Sequence, residues 1–356
     1  MAINAVVLFS GGLDSLLAVK TLQEQNVTVT GLNLVTPFHD CSQEAAARAE
    51  ELGIELVVRT LGDDYMAMLK KPRFGVGKAV NPCIDCRILM CREAKKLMEE
   101  RAADFVATGE ISGQRPNSQM MHQLNLITRE SGLGRKLVRP LCAKVLPPTE
   151  PEIEEQLDRE KLPSLTGRGR GRLINKARYK YGIKSIPQPS TGCLLCEKSF
   201  APRVADLLRH TETPTVWDAA LLSVGRHLRI DPRVKAVVAR READCDALFA
   251  LFARSDRSRS ILLAPYSFNG PAALLVGEFD GETTSDGETT SNAETVDYLA
   301  IAGGLILRFT RSDKLESPAP SVRLFSAPET WVEYKIAPNR IADTLTMIQE
   351  CSAADI

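Results

Sequence analysis

Two Cys-x-x-Cys pairs are the most reactive feature of the sequence. Cys83 and Cys86 follow Asn81-Pro82, and Cys193 and Cys196 follow a loop rich in proline and glycine, IPQPSTG. Thiols in this spacing can hold a tetrahedral zinc ion or a [4Fe–4S] cluster. They can also act without metal, one cysteine carrying a persulfide that another resolves as a disulfide. The start of a helix at Cys83 would favour the thiolate form. The sequence thus predicts metal or sulfur chemistry.

A second reactive string, Ser10-Gly11-Gly12-Leu13-Asp14-Ser15, follows the apolar run AVVLF. Glycines let the backbone approach a ligand, and the amides and dipole of a following helix favour an anion, so phosphate is the expected guest. The sequence has no GxxxxGK[ST] loop, so the lysine that contacts phosphate in ordinary NTPases is missing. Asp14 suggests a Mg²⁺-linked contact to pyrophosphate instead. The alternative is a capped Gly-Gly turn with Ser10 as the N-cap.

Alternating strands and helices are expected to position these residues. The predicted strands are the runs at 5–9, 27–35, 54–60 and 104–109. The predicted helices are the stretches at 13–25, 42–53 and 86–101. Strands joined in this way by helices predict an α/β domain with a doubly wound parallel sheet over residues 1–148.

The composition changes abruptly in residues 149–200. EPEIEEQLDRE (150–160) has six acidic residues, and KLPSLTGRGRGRLINKARYKYGIK (161–184) has eight basic and no acidic ones. Cations interleaved with tyrosines suit a nucleic-acid backbone and base stacking. The alternative is a solvated helix whose charge is offset by the acidic run. The candidate RNA-binding residues are Arg168, Arg170, Arg172, Lys176, Arg178 and Lys180.

Residues 201–356 are expected to form a smaller α+β domain. FAPRVADLLRH and DCDALFALFAR predict helices, and the predicted strands are ILLAP, AALLVGEF, LAIAGGLILRF, VRLFS and WVEYKI. The polar repeat GETTSDGETTSN (281–292) predicts a flexible hairpin loop without a function of its own. The cysteines without paired spacing are expected to be structural; they are Cys41, Cys91, Cys142, Cys245 and Cys351.

Length and composition narrow the class of protein. A chain of 356 residues is long enough for two compact units. Lys+Arg and Asp+Glu are both 45, so a nucleic-acid surface would have to come from local charge segregation. No apolar stretch reaches the ~18 residues of a membrane span, and MAINAVVLFSGG lacks the basic start of a signal peptide. With nine cysteines, an odd number, we expect a cytoplasmic protein without a membrane partner.

SGGLDS resembles the signature of the PP-loop ATP pyrophosphatases, which cleave ATP between the α and β phosphates. A longer set of strings resembles the catalytic domain of the 4-thiouridine synthetases, which thiolate tRNA; these strings are Thr108-Gly109-Glu110-Ile111-Ser112-Gly113-Gln114, Ser118-Gln119 and Val138-Arg139-Pro140-Leu141. The resemblance covers roughly the first 200 residues. It implies that ATP and Mg²⁺ activate a uridine carbonyl of tRNA, that pyrophosphate leaves, and that sulfur replaces the oxygen.

The resemblance also implies roles for single residues. Pyrophosphate would be held by Ser10, Gly11, Gly12, Asp14 and Ser15, and the adenosine pocket would be lined by Asn33, Thr108 and Gly109. Thr108-Gly109 has the alternative of an ordinary strand-ending turn. The catalytic residues would be Asp14, Cys83, Cys86 and Cys193.

Similar thiolases often hold a [4Fe–4S] cluster with three cysteines, which here would be Cys83, Cys86 and Cys193. The fourth iron would bind sulfide, and Cys196 would be a spare thiol or a fourth metal ligand. Zn²⁺ is the alternative metal. The implied partners are tRNA and a sulfur donor, either sulfide or a persulfide carrier. The oligomeric state stays open, with a homodimer as one option.

VGRHLR (224–229) and VKAVVAR (234–240) resemble a small RNA-binding module, NFACT-R, which implies an accessory RNA-binding role. A dimerisation or stabilising domain is the alternative.

The THUMP and rhodanese domains of many thiouridine synthetases are not recognisable, which leaves the RNA position and the sulfur route open. Two rival functions remain: a PP-loop enzyme that forms amides or nitriles on a small molecule with structural zinc, and a non-catalytic protein that binds ATP and RNA.

Overall fold

The computed structural model describes residues 2–77, 79–188, 192–279, 298–311, 320–336 and 349–350. The chain forms two compact units, residues 1–197 and 198–356. The predicted hairpin loop at 281–292, Thr191 and Cys351 lie outside the described residues. No helix in the described part of the chain has the length and apolar character needed to cross a membrane.

Unit 1 is a doubly wound α/β domain, as predicted. Its strands are β1 (Ile3–Leu8), β2 (Val27–Val35), β3 (Glu55–Thr60), β4 (Phe105–Thr108) and β5 (Leu137–Val138). Its helices are α1 (Leu13–Gln23), α2 (Ser42–Leu52), α3 (Asp63–Lys70), α4 (Cys83–Glu100), α5 (Met121–Glu130), α6 (Glu150–Ile153) and α7 (Arg170–Asn175). All five strands are parallel, in the order β3-β2-β1-β4-β5. The order reverses between β1 and β4, where such sheets bind ligands.

Helices cover the sheet of unit 1 and fix the loops at its edge. Ala5 and Val7 of β1 pack with Leu16 and Val19 of α1 in one apolar cluster. The alternation of side chains along a strand explains why every second residue of β1 enters this cluster. Helix α4 packs against β1 and β4. It begins at Cys83, earlier than the predicted start at residue 86, so the first Cys-x-x-Cys pair lies in its first turn.

Unit 2 contains an antiparallel sheet with helices. Its helices are α8 (Ala201–His210), α9 (Val216–Leu222), α10 (Glu242–Ala253) and α11 (Tyr298–Phe309). Its strands are β6 (Arg226–Arg229), β7 (Val234–Val238), β8 (Ser260–Pro265), β9 (Ala273–Gly277), β10 (Ser321–Ala327), β11 (Thr330–Lys335) and β12 (Gln349–Glu350). The strand order is β11-β10-β8-β9-β7-β6-β12.

One predicted strand is wrong: LAIAGGLILRF forms helix α11. An unbroken apolar run has no period that separates a buried strand from a buried helix. In the structure, Ala302, Leu305 and Ile306 of α11 pack on one face of the sheet with Leu275 of β9. Leu274 of β9 belongs to the cluster on the opposite face, with α9 and α10. Because both faces are covered, the central strands β7 and β9 are buried along their whole length.

Candidate active site

The ends of three parallel strands lie side by side in unit 1. Leu8 at the end of β1 pairs with Leu32 of β2 and with Thr108 of β4. The loop after β1, residue Asn33 and residue Gly109 therefore reach the same edge of the sheet. The two strings that sequence analysis singled out, SGGLDS and the one beginning Thr108-Gly109, meet there.

The loop between β1 and α1 is shaped by glycine. Gly11 has a φ of +71°, and a Cβ at this position would lie 3.0 Å from the carbonyl oxygen of Glu44. Gly12 is the N-cap of α1, and no side chain caps this helix start. The alternative of Ser10 as the N-cap is therefore wrong. The hydroxyl of Ser10 instead accepts a 3.4 Å hydrogen bond from the backbone of Gly12. The first amides of α1 remain available to an anion.

Gly109 lies directly against this loop. A Cβ added to Gly109 would lie 2.7 Å from the carbonyl carbon of Asp14 and 2.8 Å from the nitrogen of Ser15. Backbone atoms cannot yield to such a contact as a flexible side chain can, so only glycine fits. Glycine is therefore needed at position 109 for this close contact with the phosphate loop, and not only to end a strand.

Asp14 is half-buried at the start of α1, and the charges of three arginines act on its carboxyl. Burial raises the pKa of its carboxyl above the usual range, while a hydrogen bond from Gln114 and the charges of Arg115, Arg170 and Arg87 lower it. These arginines come from a loop, from the basic segment and from α4. Positive charge from three separate segments thus converges beside the loop for which phosphate was predicted.

Several buried acceptor atoms near this edge have no hydrogen-bond partner among the described residues: Asn33 Oδ1, Glu110 Oε1, Gln114 Oε1 and Gln119 Oε1. Asn33 is 1% exposed, and its amide nitrogen donates to the carbonyl of Phe9 at 2.9 Å. Orphaned buried acceptors are costly and suit a ligand with N–H or O–H donors. The amino group of adenine and the hydroxyls of ribose are donors of this kind.

Glu110 is a buried carboxylate that sequence analysis did not single out as a site residue. Its Oε2 accepts hydrogen bonds from Arg139 Nε at 2.9 Å and from Thr108 Oγ1 at 3.1 Å. Burial by itself would raise the pKa of Glu110, but Arg139 and Arg87 hold it below its usual range. The sequence signal for this pair was the place of Glu110 in the string that begins Thr108-Gly109 and of Arg139 in the string that begins Val138.

The first thiol pair has polar neighbours on both cysteines. Asn81 Nδ2 donates to Cys83 Sγ at 3.0 Å, and the hydroxyl of Tyr65 donates to Cys86 Sγ at 3.7 Å. Tyr65 is 1% exposed and its ring lies 6.2 Å from that of Phe38. Helix α3 and the segment after β2 thus support Cys86.

The second thiol pair is anchored to the same segment. Leu194 to Cys196 form a short 3₁₀ helix, and the backbone N–H of Leu194 donates to the carbonyl of Phe38 at 3.0 Å. Phe38 therefore contacts the supports of both pairs. Burial is the main reason that the pKa of Cys193 is raised, and the charges of Cys86 and Cys83 raise it further.

Burial is the largest influence on the pKa of three of the four paired thiols. It raises the pKa of Cys86 and of Cys193 and raises that of Cys196 to about 12. At Cys86, desolvation therefore outweighs the thiolate preference expected near the start of α4. A bound metal would change this, because it takes thiols as thiolates. The donor set suits zinc or iron, although no group of three or more His, Cys, Asp or Glu side chains in the described ranges is arranged to hold a metal ion.

Among the unpaired cysteines, Cys91 and Cys142 are buried and burial raises the pKa of each, to about 12 and about 11. Cys41 differs, because its Sγ accepts a 3.3 Å hydrogen bond from Asn33 Nδ2. A hydrogen bond to the side chain of Cys41 also raises the pKa of His39. Its neighbours are thus polar, which its spacing in the sequence did not indicate.

The basic segment packs on α1. Leu173 and Ala177 join an apolar cluster with Leu17 of α1, which brings the segment beside the phosphate loop. Three of its cations are held by the protein: Lys180 pairs with Glu24 at 2.7 Å, Arg170 donates to the carbonyl of Pro187, and Lys176 lies over the ring of Tyr181. For Arg168, Arg172 and Arg178 the described residues supply no ion pair.

Comparison with known proteins identifies two regions. Residues 3–128 match the family model described as tRNA methyl transferase HUP domain, and residues 225–317 match the NFACT protein RNA binding domain. The first region is thus a HUP domain of the PP-loop class, in agreement with its strand order and glycine loop.

The HUP region is similar to tRNA-specific 2-thiouridylases MnmA. The enzyme of Syntrophomonas wolfei is 33% identical over 114 residues, 30% of this chain and 32% of that protein. The enzyme of Nitratidesulfovibrio vulgaris is 34% identical over 90 residues, 24% of this chain and 26% of that protein. The chain thus spans about a third or less of the length of these relatives. Through this region the protein is related to tRNA thiolation enzymes.

Two solved structures are loosely similar. A 4-thiouridine synthetase–RNA complex with bound ATP has a TM-score of 0.33 and 20% identity, covering 51% of this chain and 53% of that one. A predicted subunit of tRNA methyltransferase from Methanocaldococcus jannaschii has a TM-score of 0.28 and 18% identity, covering 39% and 69%. Neither likeness is close enough to support a functional argument.

Proposed function

We propose that the protein is an ATP-dependent tRNA sulfurtransferase. The uridine carbonyl oxygen attacks the α-phosphate of ATP, pyrophosphate leaves, and a sulfur nucleophile then displaces AMP from the carbon. A C=S bond replaces the C=O bond. Sulfide can supply the sulfur directly. If a persulfide supplies it, its outer sulfur bonds to the carbon as AMP leaves, and a second thiol then breaks the S–S bond and forms a disulfide, which a thiol reductant must reduce before the next turnover. The observation that carries this proposal is that unit 1 holds a glycine-lined loop closed by Gly109 against Asp14 and, in the same unit, two thiol pairs whose supports both contact Phe38.

The residues of the loop would orient the nucleotide. Amides at the start of α1 would bind pyrophosphate, and Asp14 would hold its Mg²⁺ ion. The orphaned acceptors of Asn33 and Gln114 would receive donors from the adenosine. Rate enhancement would come from orienting the carbonyl toward the α-phosphate and from neutralising the leaving group.

In this proposal Cys83, Cys86 and Cys193 would hold a [4Fe–4S] cluster, with Cys196 as a further thiol, which requires the thiols to come closer together than in the described part of the chain. When bound, such a cluster supplies an iron site open to sulfur. The hydrogen bonds from Asn81 and Tyr65 would stabilise two of the sulfurs as thiolates. The exposed cations of the basic segment and the NFACT-like region of unit 2 would bind the RNA.

The test is tRNA thiolation with oxygen excluded. Wild-type protein incubated with Mg-ATP, sulfide and unmodified tRNA is expected to release pyrophosphate and form a thiouridine detectable by mass spectrometry of the digested RNA. Asp14→Ala is expected to abolish pyrophosphate release and to keep RNA binding, because it removes only the magnesium contact. Cys83→Ala and Cys193→Ala are expected to abolish thiolation, whereas Cys245→Ala in unit 2 should not.

Metal analysis of the same proteins separates the alternatives. Matching iron and sulfide, lost in Cys83→Ala, would support a cluster. Stoichiometric zinc, together with pyrophosphate release that needs no RNA and yields no thiouridine, would contradict the proposal and favour a small-molecule substrate.

A further inference from the structure

Arg87 has a guanidinium group without a hydrogen bond to any described residue. Its side chain is 31% exposed, and the closest acid is Glu110, whose Oε1 lies 3.8 Å from Arg87 Nε. That distance allows electrostatic attraction but not a hydrogen bond. Glu110 Oε1 is itself buried and accepts no hydrogen bond from the described residues.

Glu110 does not neutralise the charge on Arg87, because the same carboxylate already pairs with Arg139. Arg139 is 4% exposed and already donates to the same carboxylate. Two guanidinium groups and one carboxylate leave a net charge of one positive unit at this place. Arg139 is also fixed by Thr128 and the carbonyl of Leu124. Arg87 is therefore the member of the group that can turn toward a ligand.

The position of Arg87 on α4 determines which group of a ligand its guanidinium can bind. It directly follows Cys86 in the first turns of the helix. Its closest acid, Glu110, accepts a hydrogen bond from Thr108 and follows Gly109, which lies against the backbone of Asp14. Arg87 is thus linked through Glu110 to the strand end that contacts the phosphate loop, and it is the neighbour of a thiol in the chain. The guanidinium group is a planar fork of N–H donors, and its geometry matches the oxygens of a phosphate group. A bound phosphate could therefore accept the hydrogen bonds that Arg87 does not make within the protein.

We propose that Arg87 binds the α-phosphate of the nucleotide on the side of the phosphate loop that faces Cys86. In the reaction, Arg87 would hold the phosphate of the adenylated uridine toward the thiols. The reaction role rests on the proposed function, but the α-phosphate contact can be measured without RNA or turnover.

The experiment compares AMP with adenosine by calorimetric titration of the full-length protein. Wild type is expected to bind AMP more tightly than adenosine, because only AMP carries the phosphate. In Arg87→Gln this preference is expected to shrink by about tenfold to a hundredfold, with adenosine affinity unchanged. Arg87→Lys, which keeps the charge but loses the fork, is expected to fall between the two. Arg92→Gln is the matched control, because Arg92 lies on the same helix but donates to the carbonyl of Glu130.

An unchanged preference for AMP in a folded Arg87→Gln protein would overturn this role and leave the proposed function standing. Wild-type protein that binds neither AMP nor adenosine would overturn both. If Arg87→Gln does not fold, the lysine variant decides: a reduced preference for AMP supports the role, and a wild-type preference overturns it.

Discussion

The pair of Glu110 and Arg139 organises unit 1 at the scale of single residues. Both side chains are almost fully buried, with 2% and 4% exposure. Removing one partner of a buried pair leaves an uncompensated charge and is far more destructive than losing a surface pair. The pair also places Thr108 and Arg87 beside the candidate nucleotide site. Its loss should therefore affect both stability and ligand binding.

Glu110→Gln is expected to lower the free energy of unfolding by about 3–5 kcal/mol near neutral pH. Although burial alone would raise it, the pKa of Glu110 in the folded protein is lowered from its ordinary value of 4.5 by the two arginines. The ionised form thus stabilises the fold above pH 4.5, and this contribution is lost as the pH falls through the lower, folded-state pKa. Urea unfolding over this pH range is expected to show a steeper acid loss in wild type than in the variant.

Glu99→Gln is the control for that measurement. Glu99 pairs with Lys95 on the surface of α4 and is 56% exposed, so its removal should cost less than about 1 kcal/mol. Parallel stability curves for wild type and Glu110→Gln would contradict the assignment of a charged, paired Glu110.

At the scale of elements, the packing of the basic segment gives some of its cations protein partners and leaves others without an ion pair in the described part of the chain. Helix α7 and the turn of π-helix at Lys176–Lys180 lie on α1 through Leu173 and Ala177. Packing of this kind orients some cations toward the protein and others toward solvent. Sequence composition treated all six candidate cations alike, whereas the structure separates those with protein partners from those available to a polyanion.

Arg178→Gln is expected to weaken RNA binding more than Lys180→Gln. Arg178 has no ion pair within the described ranges, while Lys180 already pairs with Glu24 at 2.7 Å. Loss of one phosphate contact should lower the slope of log affinity against log salt by about 0.7–0.9. Titrations of labelled tRNA at several salt concentrations measure this slope. Equal effects of the two substitutions would contradict the division of the segment.

At the scale of the whole molecule, each compact unit has its own apolar core. The candidate nucleotide and thiol residues all lie within residues 1–197, and the NFACT match lies within residues 198–356. Unit 2 is built around strands that are buried on both faces, with Leu275 of β9 fully buried under α11. The candidate nucleotide residues and the NFACT-like region thus lie in different units.

Leu275→Ala is expected to destabilise unit 2 by about 2–5 kcal/mol through the cavity it leaves. RNA affinity should fall on mild heating, whereas ATP affinity should stay at the wild-type value because the candidate nucleotide site lies in unit 1. Calorimetry gives the unfolding transition and both affinities. Val332→Ala, on the edge strand β11 with 39% exposure, should change neither. A parallel loss of ATP affinity in Leu275→Ala would contradict this assignment.

The sequence by itself determined the strand–glycine turn–helix, predicted over residues 5–25, the doubly wound α/β class of unit 1 and the spacing of the two thiol pairs. These features depend on local period and turn chemistry, which neighbouring residues encode. The helical state of α11 was not determined, because an apolar run without polar breaks fits either structure until a sheet packs against it.

Only the tertiary structure decided which distant groups share one environment. The contact of Gly109 with Asp14, the sharing of Glu110 by two arginines, and the pairing of Lys180 with Glu24 join segments far apart in the chain. Burial also raises the pKa of Cys86, against the thiolate preference expected near the start of α4. Desolvation and charge interactions depend on distances in space, and these are set by strand order and packing rather than by spacing along the sequence.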